Sequence, residues 1–313
     1  MSANVETMFY AGRAVPWHGL GVQVDHALSS EEALEKAGLN WRVTQSTIVT
    51  NSGIPIEGYK ANVRDSDGKV LGVVTDRYRI VQNQEAFAFT DDLLGKGARY
   101  ETAGSLQEGK KVWLLAKLPT AYIFFGGDRL SPYLVFSNSH DGSGAIKIAM
   151  TPIRVVCNNT LNLALNTADR IWTANHTGNI GLKLEDAKET LFRAEDYMDK
   201  LGMEISRLNK VDITDELVNE MIRELLPIPN DATELQEKNV MKLRDDVSLR
   251  FYHAPDLQVL PKNAYRFINA VSDFATHGKP LRETASYREN LFARTIEGNA
   301  LIDKSYQLVR QIA

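Results

Sequence analysis

The hydrophobic and polar positions along this chain change their period near residue 180. Before that point, short apolar runs are separated by turns rich in Gly, Asp and Ser, which is typical of antiparallel β-strands. After it, apolar residues recur every three or four positions, which is typical of helices. The pattern predicts an α+β fold, with β-hairpins and packed helices in a domain over residues 1–180 and an all-α domain over residues 181–313.

Three β-hairpins are predicted in the first domain, because apolar runs flank turn sequences such as Asp65-Ser66-Asp67-Gly68 and Glu108-Gly109. The second arm of the middle hairpin is apolar on both faces, which predicts a central strand in the sheet. The paired segments are 59–64 with 70–75, 100–106 with 111–118, and 133–138 with 145–150.

Helix boundaries are marked by capping residues. Ser29 and Glu32 form a capping-box pattern at the start of a helix, and Gly38 ends that helix. A strand over 78–81 is predicted to lead into a helix at Asn83. The other predicted helices begin near residue 159 and near residue 182, and then cover 215–226, 233–251, 262–276 and 288–312.

Composition excludes several classes of protein. The 313 residues are 43% apolar and 24% charged, which is typical of a globular protein. No apolar run approaches the roughly 20 residues that span a bilayer, and no signal peptide is evident. We therefore expect a cytoplasmic protein without a membrane partner.

The single cysteine, Cys157, excludes an internal disulfide and a cysteine-based zinc site. No nucleotide-binding or hydrolase motif occurs, so no cofactor and no catalytic residue is assigned.

A polar turn between two strand-like runs is the first site candidate. It reads Ser139-His140-Asp141-Gly142-Ser143-Gly144. Small hydroxyls and backbone N–H groups gathered in this way are typical of sites that bind an anion such as phosphate. The alternative is an ordinary hairpin turn, in which the Asp-Gly and Ser-Gly pairs serve backbone geometry alone.

A basic and aromatic segment is the second candidate. Arg77 and Arg79 share one face of an extended chain, with Tyr78 on the other. Arginines beside aromatic rings bind single-stranded nucleic acid through its phosphates and by base stacking. A solvated strand edge is the alternative. The net charge of −4 argues against a surface for duplex DNA, although a slight basic excess over residues 58–117 permits a local groove.

Further residues extend these two candidates. Arg154 lies in an apolar run, where an arginine is costly unless it is paired or faces a groove. Asn158 and Asn159 follow it and offer neutral donors. The remaining candidates are Lys110 and Lys111 for phosphate contact and Trp113 for base stacking.

The histidines permit an enzymatic alternative. None of the six lies four residues from another, the spacing of a helical metal site, so a metal stays undetermined. His140 and Asp141 would form a phosphate-handling or metal-assisted centre, completed by His18 or His176. His18 in a rigid core-packing loop, and His176 in a turn before a helix, are the plainer interpretations.

Several ordered segments carry a family resemblance. They are Pro16-Trp17-His18-Gly19-Leu20-Gly21, Asp76-Arg77-Tyr78, Ser139-His140-Asp141-Gly142-Ser143, Arg154-Val155-Val156-Cys157-Asn158-Asn159-Thr160-Leu161, and Asn269-Ala270-Val271-Ser272-Asp273-Phe274 with His277. The chain resembles the phage/plasmid-like proteins that carry the domain of unknown function numbered 932. This resemblance implies a mobile-element setting and transfers no activity. The order of elements is also similar to phage single-strand annealing proteins of the RecT and Erf type, which assemble into rings or helical filaments.

The favoured hypothesis is a mobile-element protein that binds single-stranded nucleic acid, and anneals it, as a homo-oligomer. Alternatives are the enzyme centred on His140 and Asp141, and a protein-binding module that counters a host defence through the helical part. The expected contacts are Arg77, Arg79, Lys110, Lys111 and Arg154 for phosphates, Tyr78 and Trp113 for bases, and Ser139, His140, Ser143, Asn158 and Asn159 as neutral donors.

Overall fold

The computed structural model describes residues 5–11, 21–94, 99–118, 122–123, 129–154, 159–160, 171–192, 194–279, 281 and 299–312. These residues form an α+β protein, as predicted, and those after 194 are mostly helical. The strands are β1 (Val5–Ala11), β2 (Val22–Val24), β3 (Val43–Val49), β4 (Pro55–Arg64), β5 (Val70–Thr75), β6 (Arg99–Leu106), β7 (Lys111–Lys117), β8 (Tyr122–Ile123), β9 (Arg129–Ser139), β10 (Ile146–Arg154), β11 (Asn159–Thr160) and β12 (Ile171–Ala174).

The helices alternate with strands early in the chain and follow one another later. They are α1 (Ser30–Lys36), α2 (Asn83–Leu94), α3 (Ile180–Phe192), α4 (Ala194–Leu208), α5 (Asp215–Leu225), α6 (Glu234–His253), α7 (Ala264–His277) and α8 (Ala300–Arg310). Within the ranges given above, no helix combines the length and the apolar character that crossing a membrane would require.

The strands form two sheets. The larger has the order β11-β10-β9-β7-β6-β1-β2, with β12 beside β10 and β8 beside β9, and the smaller has the order β3-β4-β5. The three predicted hairpins correspond to β4–β5, β6–β7 and β9–β10. β7 lies between β6 and β9, so the strand that is apolar on both faces is central, as predicted.

Contacts divide the chain into two compact units, and neither is one continuous stretch. The first unit comprises 1–119, 133–150 and 168–193, and the second comprises 120–132, 151–167 and 194–313. The boundary predicted at residue 180 therefore falls inside the first unit, where α3 begins.

The first unit is built around β6, β7 and β9, with α1 and α2 as its capped helices. Ser29 caps α1 through the predicted capping box, in which its backbone N–H donates to the Glu32 carboxylate at 3.0 Å. Large side chains that are almost completely inaccessible fill the core between sheet and helices. They include Phe9, Leu39, Tyr100, Leu114 and Phe136.

One predicted element is wrong. Residues 78–81 form no strand, because a turn at Asp76 and Arg77 redirects the chain and the Arg79 N–H donates to the His176 carbonyl at 2.8 Å. Residues 159–160 form the short strand β11, which pairs with the end of β10, and the rest of the helix predicted to begin near residue 159 lies outside the described residues.

The second unit contains a buried arginine that joins the end of α6 to the following loop. The Arg266 guanidinium donates to the carbonyls of Phe251, Leu260 and Tyr252 at 2.8, 3.0 and 3.3 Å. It also lies 5.1 Å from the centre of the Phe251 ring. These carbonyls lie at a helix C-terminus or in the loop beyond it, where no backbone donor continues the helix. Arg266 therefore satisfies the carbonyls of Phe251 and Leu260, while the Tyr252 carbonyl also accepts the Gln258 side-chain amide at 3.4 Å.

Candidate functional site

A pocket in the first unit brings together three segments that are distant in sequence. It has a volume of about 350 Å³ and opens beside the end of β5, the turn between β9 and β10, and the residues after β12. Each of these segments contains a motif that the sequence indicated. The lining residues are Thr75, Tyr78, Gly142, Ser143, Gly144, Ala145, Asn175, His176 and Thr177.

The turn between β9 and β10 satisfies its own hydrogen bonds. Asp141 Oδ1 accepts the Ser139 hydroxyl at 2.5 Å and the Ser143 N–H at 2.8 Å, while the Gly144 N–H donates to Ser139 Oγ at 3.1 Å. Burial raises the pKa of Asp141, but the hydrogen bonds from Ser139 and Ser143 lower it more, so the carboxyl stays ionised. The Ser143 N–H is thus taken by the Asp141 carboxylate and the Gly144 N–H by the Ser139 hydroxyl, within the turn that was predicted to bind phosphate.

His140 holds this turn against the smaller sheet and α2, and its side chain is completely buried. Its N–H donates to the Lys110 carbonyl at 2.7 Å, and its carbonyl accepts the Asn62 amide at 2.7 Å. Its Nε2 lies 3.1 Å from Asn83 Oδ1, and its ring meets the Trp41 ring edge-on at 5.4 Å. A ring in this position has no access to nucleic acid or substrate, so its predicted role as a direct contact is corrected.

The protonation of His140 follows from its partner. Asn83 donates its amide N–H to the Leu39 carbonyl at 3.0 Å, which leaves its oxygen to accept the proton on His140 Nε2. Burial lowers the pKa of His140 to about 3. The ring is therefore neutral, and the acid–base role considered for it in the enzymatic alternative has no support in this geometry.

His176 is the imidazole of the pocket wall, and it is held on two sides. Its Nδ1 donates to the Arg79 carbonyl at 2.9 Å, and its ring stacks on Tyr78 with centroids 4.5 Å apart and planes 12° apart. The Tyr78 hydroxyl donates to the Ser139 carbonyl at 2.5 Å. Because a carbonyl only accepts, the His176 proton is on Nδ1, and Nε2 is a bare acceptor. This atom is buried and has no partner among the described residues.

Basic side chains surround the pocket without lining it. Arg77 and Arg79 are exposed, and neither has an ion pair in the part of the chain that the structure describes. Lys183 donates to the carbonyl of Asn175 at 3.0 Å. At the turn, Lys111 lies near enough to Asp141 to lower the pKa of that carboxyl. Burial lowers the pKa of Lys147, and the positive charge of nearby Lys111 lowers it further.

The remaining predicted contacts divide into three groups. Ser143 is exposed at the pocket, and Lys110 is half-buried beside the turn. Trp113 and Ser139 are buried, and Trp113 packs over Gly104, where an added Cβ would lie 2.7 Å from the ring. A buried Trp113 cannot stack on a base, so that prediction is corrected. The side chains of Arg154 and Asn159, together with all of Asn158, Cys157 and His18, lie outside the described residues.

Sequence reasoning did not single out Thr75 or Asn175 as pocket residues, whereas it named the segment His176-Thr177 as a possible phosphate donor. For the metal-assisted alternative, the described ranges contain no group of three His, Cys, Asp or Glu side chains that could hold an ion. The position of Thr75 and Asn175 in the sequence was the available clue, because they lie close to Tyr78 and His176, which also line the pocket.

The chain belongs to the family defined by the domain of unknown function DUF932, whose model matches residues 70–296. The matched stretch contains every residue that lines the pocket. No curated protein and no solved structure matches the chain.

Two buried neutral histidines predict acid sensitivity. The unfolded chain binds a proton at His140 below about pH 6.5, whereas the folded protein does so only near its lowered pKa of about 3. The contribution of His140 to the free energy of unfolding is therefore complete above about pH 6.5. It decreases as the pH falls, by up to about 1.4 kcal/mol per pH unit for one such group. His176, whose pKa burial also lowers, adds to the slope.

The measurement is the free energy of unfolding against pH, between about pH 5 and 7, where carboxylates contribute little. His140→Gln retains an N–H for Asn83 and cannot titrate, so its curve is expected to be flatter than that of the wild type. Equal slopes for the two proteins would contradict a neutral, buried His140.

Proposed function

We propose that the first unit binds single-stranded nucleic acid at the pocket and its basic surroundings. The observation that carries the proposal is the pair of exposed arginines, Arg77 and Arg79, on either side of the pocket residue Tyr78. Neither guanidinium is neutralised by an ion pair within the described ranges. Exposed arginines beside a pocket support contact with the nucleic-acid backbone, because guanidinium groups that neutralise phosphates release the counterions condensed on the strand.

The positive charge is local, which reconciles it with the net charge of −4. Lys183 extends it on the side of His176, and Lys111 and Lys147 extend it on the side of the turn. Asp76 and Asp141 lie within the same area. The Asp141 carboxylate is occupied by Ser139 and Ser143, so we assign the ligand chiefly to the exposed Arg77 and Arg79.

The contact set is revised from the one predicted. Arg77, Arg79, Lys110 and Lys111 remain as phosphate contacts, with Ser143 as a neutral donor, and Lys147 and Lys183 join them. Tyr78 is covered on one face by His176, so it contributes a pocket wall in place of an open stacking platform. We extend the proposal to strand annealing by a homo-oligomeric ring or filament, in the mobile-element setting that the resemblance implies.

The test is salt-dependent binding of a fluorescent single-stranded oligonucleotide, followed by anisotropy. The double variant Arg77→Glu/Arg79→Glu is expected to bind roughly tenfold more weakly. Its plot of log affinity against log salt should be shallower by about 1.4, since each lost contact to a single strand removes about 0.7.

A matched control makes the same charge change elsewhere. Lys238 and Lys242 are exposed on α6, one turn apart, and Lys238→Glu/Lys242→Glu is expected to leave affinity and salt slope within error of the wild type. Equal losses in both double variants would indicate a general charge effect and reject the site. Absence of single-strand binding by the wild type at low salt would reject the function.

A further inference from the structure

The pocket itself carries no charged side chain, although basic residues surround it. Its walls offer the hydroxyls of Thr75, Ser143 and Thr177, all on exposed residues, and the amide of Asn175. The nearest turn N–H groups, those of Ser143 and Gly144, are already donated within the turn. Such a lining suits an uncharged polar ligand, since nothing in it neutralises a buried anion.

His176 contributes a hydrogen-bond acceptor, its Nε2, to the pocket. Its side chain is 4% exposed, and its Nε2 has no partner among the described residues. The Arg79 carbonyl fixes the proton on Nδ1, so Nε2 can only accept. A buried acceptor without a donor is costly. A ligand that supplies an N–H or O–H at this atom therefore gives His176 Nε2 a hydrogen bond that the described protein groups do not supply.

We propose that this pocket binds one uncharged nucleoside unit, with a donor of the nucleoside hydrogen-bonded to His176 Nε2. A volume of about 350 Å³ lies at the small end of the range for ligand pockets. The wall hydroxyls match a sugar or base edge, and the flanking cations Arg79 and Lys183 are placed for the adjoining phosphates. The nucleoside identity rests on the proposed function, whereas the acceptor at His176 does not.

The experiment titrates adenosine and cytidine, which have no phosphate, into the full chain and follows binding by calorimetry and by NMR. Two substitutions separate the nitrogens of His176. His176→Asn keeps a donor near the position of Nδ1 and loses the acceptor, and is expected to weaken nucleoside binding about tenfold. His176→Gln keeps an amide oxygen near Nε2 and is expected to weaken it by less than about threefold.

His253, an exposed histidine on α6, provides the matched control, and His253→Asn is expected to bind nucleosides as the wild type does. If a His176 variant loses its thermal transition, Thr177→Val tests the same wall and should weaken binding several-fold. Equal effects of His176→Asn and His176→Gln, or no effect of either, would overturn the assignment of Nε2 as the acceptor.

The outcomes also separate this inference from the proposed function. Salt-dependent binding of the oligonucleotide without any nucleoside binding would overturn the pocket assignment and leave the function standing. Nucleoside binding that depends on His176, without oligonucleotide binding, would support the pocket and reject the function.

Discussion

His140→Ala is expected to lower the free energy of unfolding by about 3–5 kcal/mol, the range for removing a large buried ring. The ring is completely buried, it packs on Trp41, and its Nε2 proton bonds Asn83. Alanine would leave a cavity and a buried amide oxygen without its donor. The loss should appear as a lower denaturation midpoint with an unchanged slope.

Tryptophan fluorescence is the appropriate probe, because Trp41, Trp113 and Trp172 are in the first unit. His26→Ala, at an exposed position in the same unit, is the control and is expected to change stability by less than about 0.5 kcal/mol. A midpoint for His140→Ala equal to that of the control would show that His140 does not anchor the turn.

Arg266→Ala is expected to cost the second unit about 4 kcal/mol or more. The substitution leaves three carbonyls without their charged donor, and one hydrogen bond to a charged group contributes roughly 1.5–3 kcal/mol. Arg266→Lys should recover only part of the loss, because an ammonium cannot span the three acceptors as the planar guanidinium does.

Far-UV circular dichroism measures this effect, because most of the helical residues lie in the second unit. Arg223→Ala removes an exposed arginine of α5 and should be nearly neutral. A dichroism midpoint for Arg266→Ala within error of that control would refute the bridging role. Separate shifts in dichroism and in fluorescence would show that the two units unfold independently.

Sequence reasoning found the elements whose signals are local. The capping box of Ser29 and Glu32 and the turns at 65–68 and 108–109 specify their own geometry, so α1 and two hairpins follow from a few adjacent residues. The strand expected at 78–81 failed because the partner of Arg79 is His176, 97 positions away. No local pattern encodes a pairing at that distance.

Only part of the candidate site could be predicted from the sequence. Trp113 lies on a strand that is apolar on both faces, and this pattern already indicated burial in place of base stacking. For His140 no such signal existed, because the Asn83 side chain that fixes its ring looked like a helix cap. The pocket depends on three segments meeting, which only the tertiary structure establishes.

The pairing of His176 with Arg79 has a consequence for biosynthesis. Residues 175–177 form part of the pocket lining, and residue 75 forms another part. A ribosome must therefore add about a hundred residues after Thr75 before the chain can close the cavity, and closing so long a loop carries an entropic cost. The cavity therefore cannot form until residues 175–177 have been synthesised, and fragments that stop short of His176 will lack it.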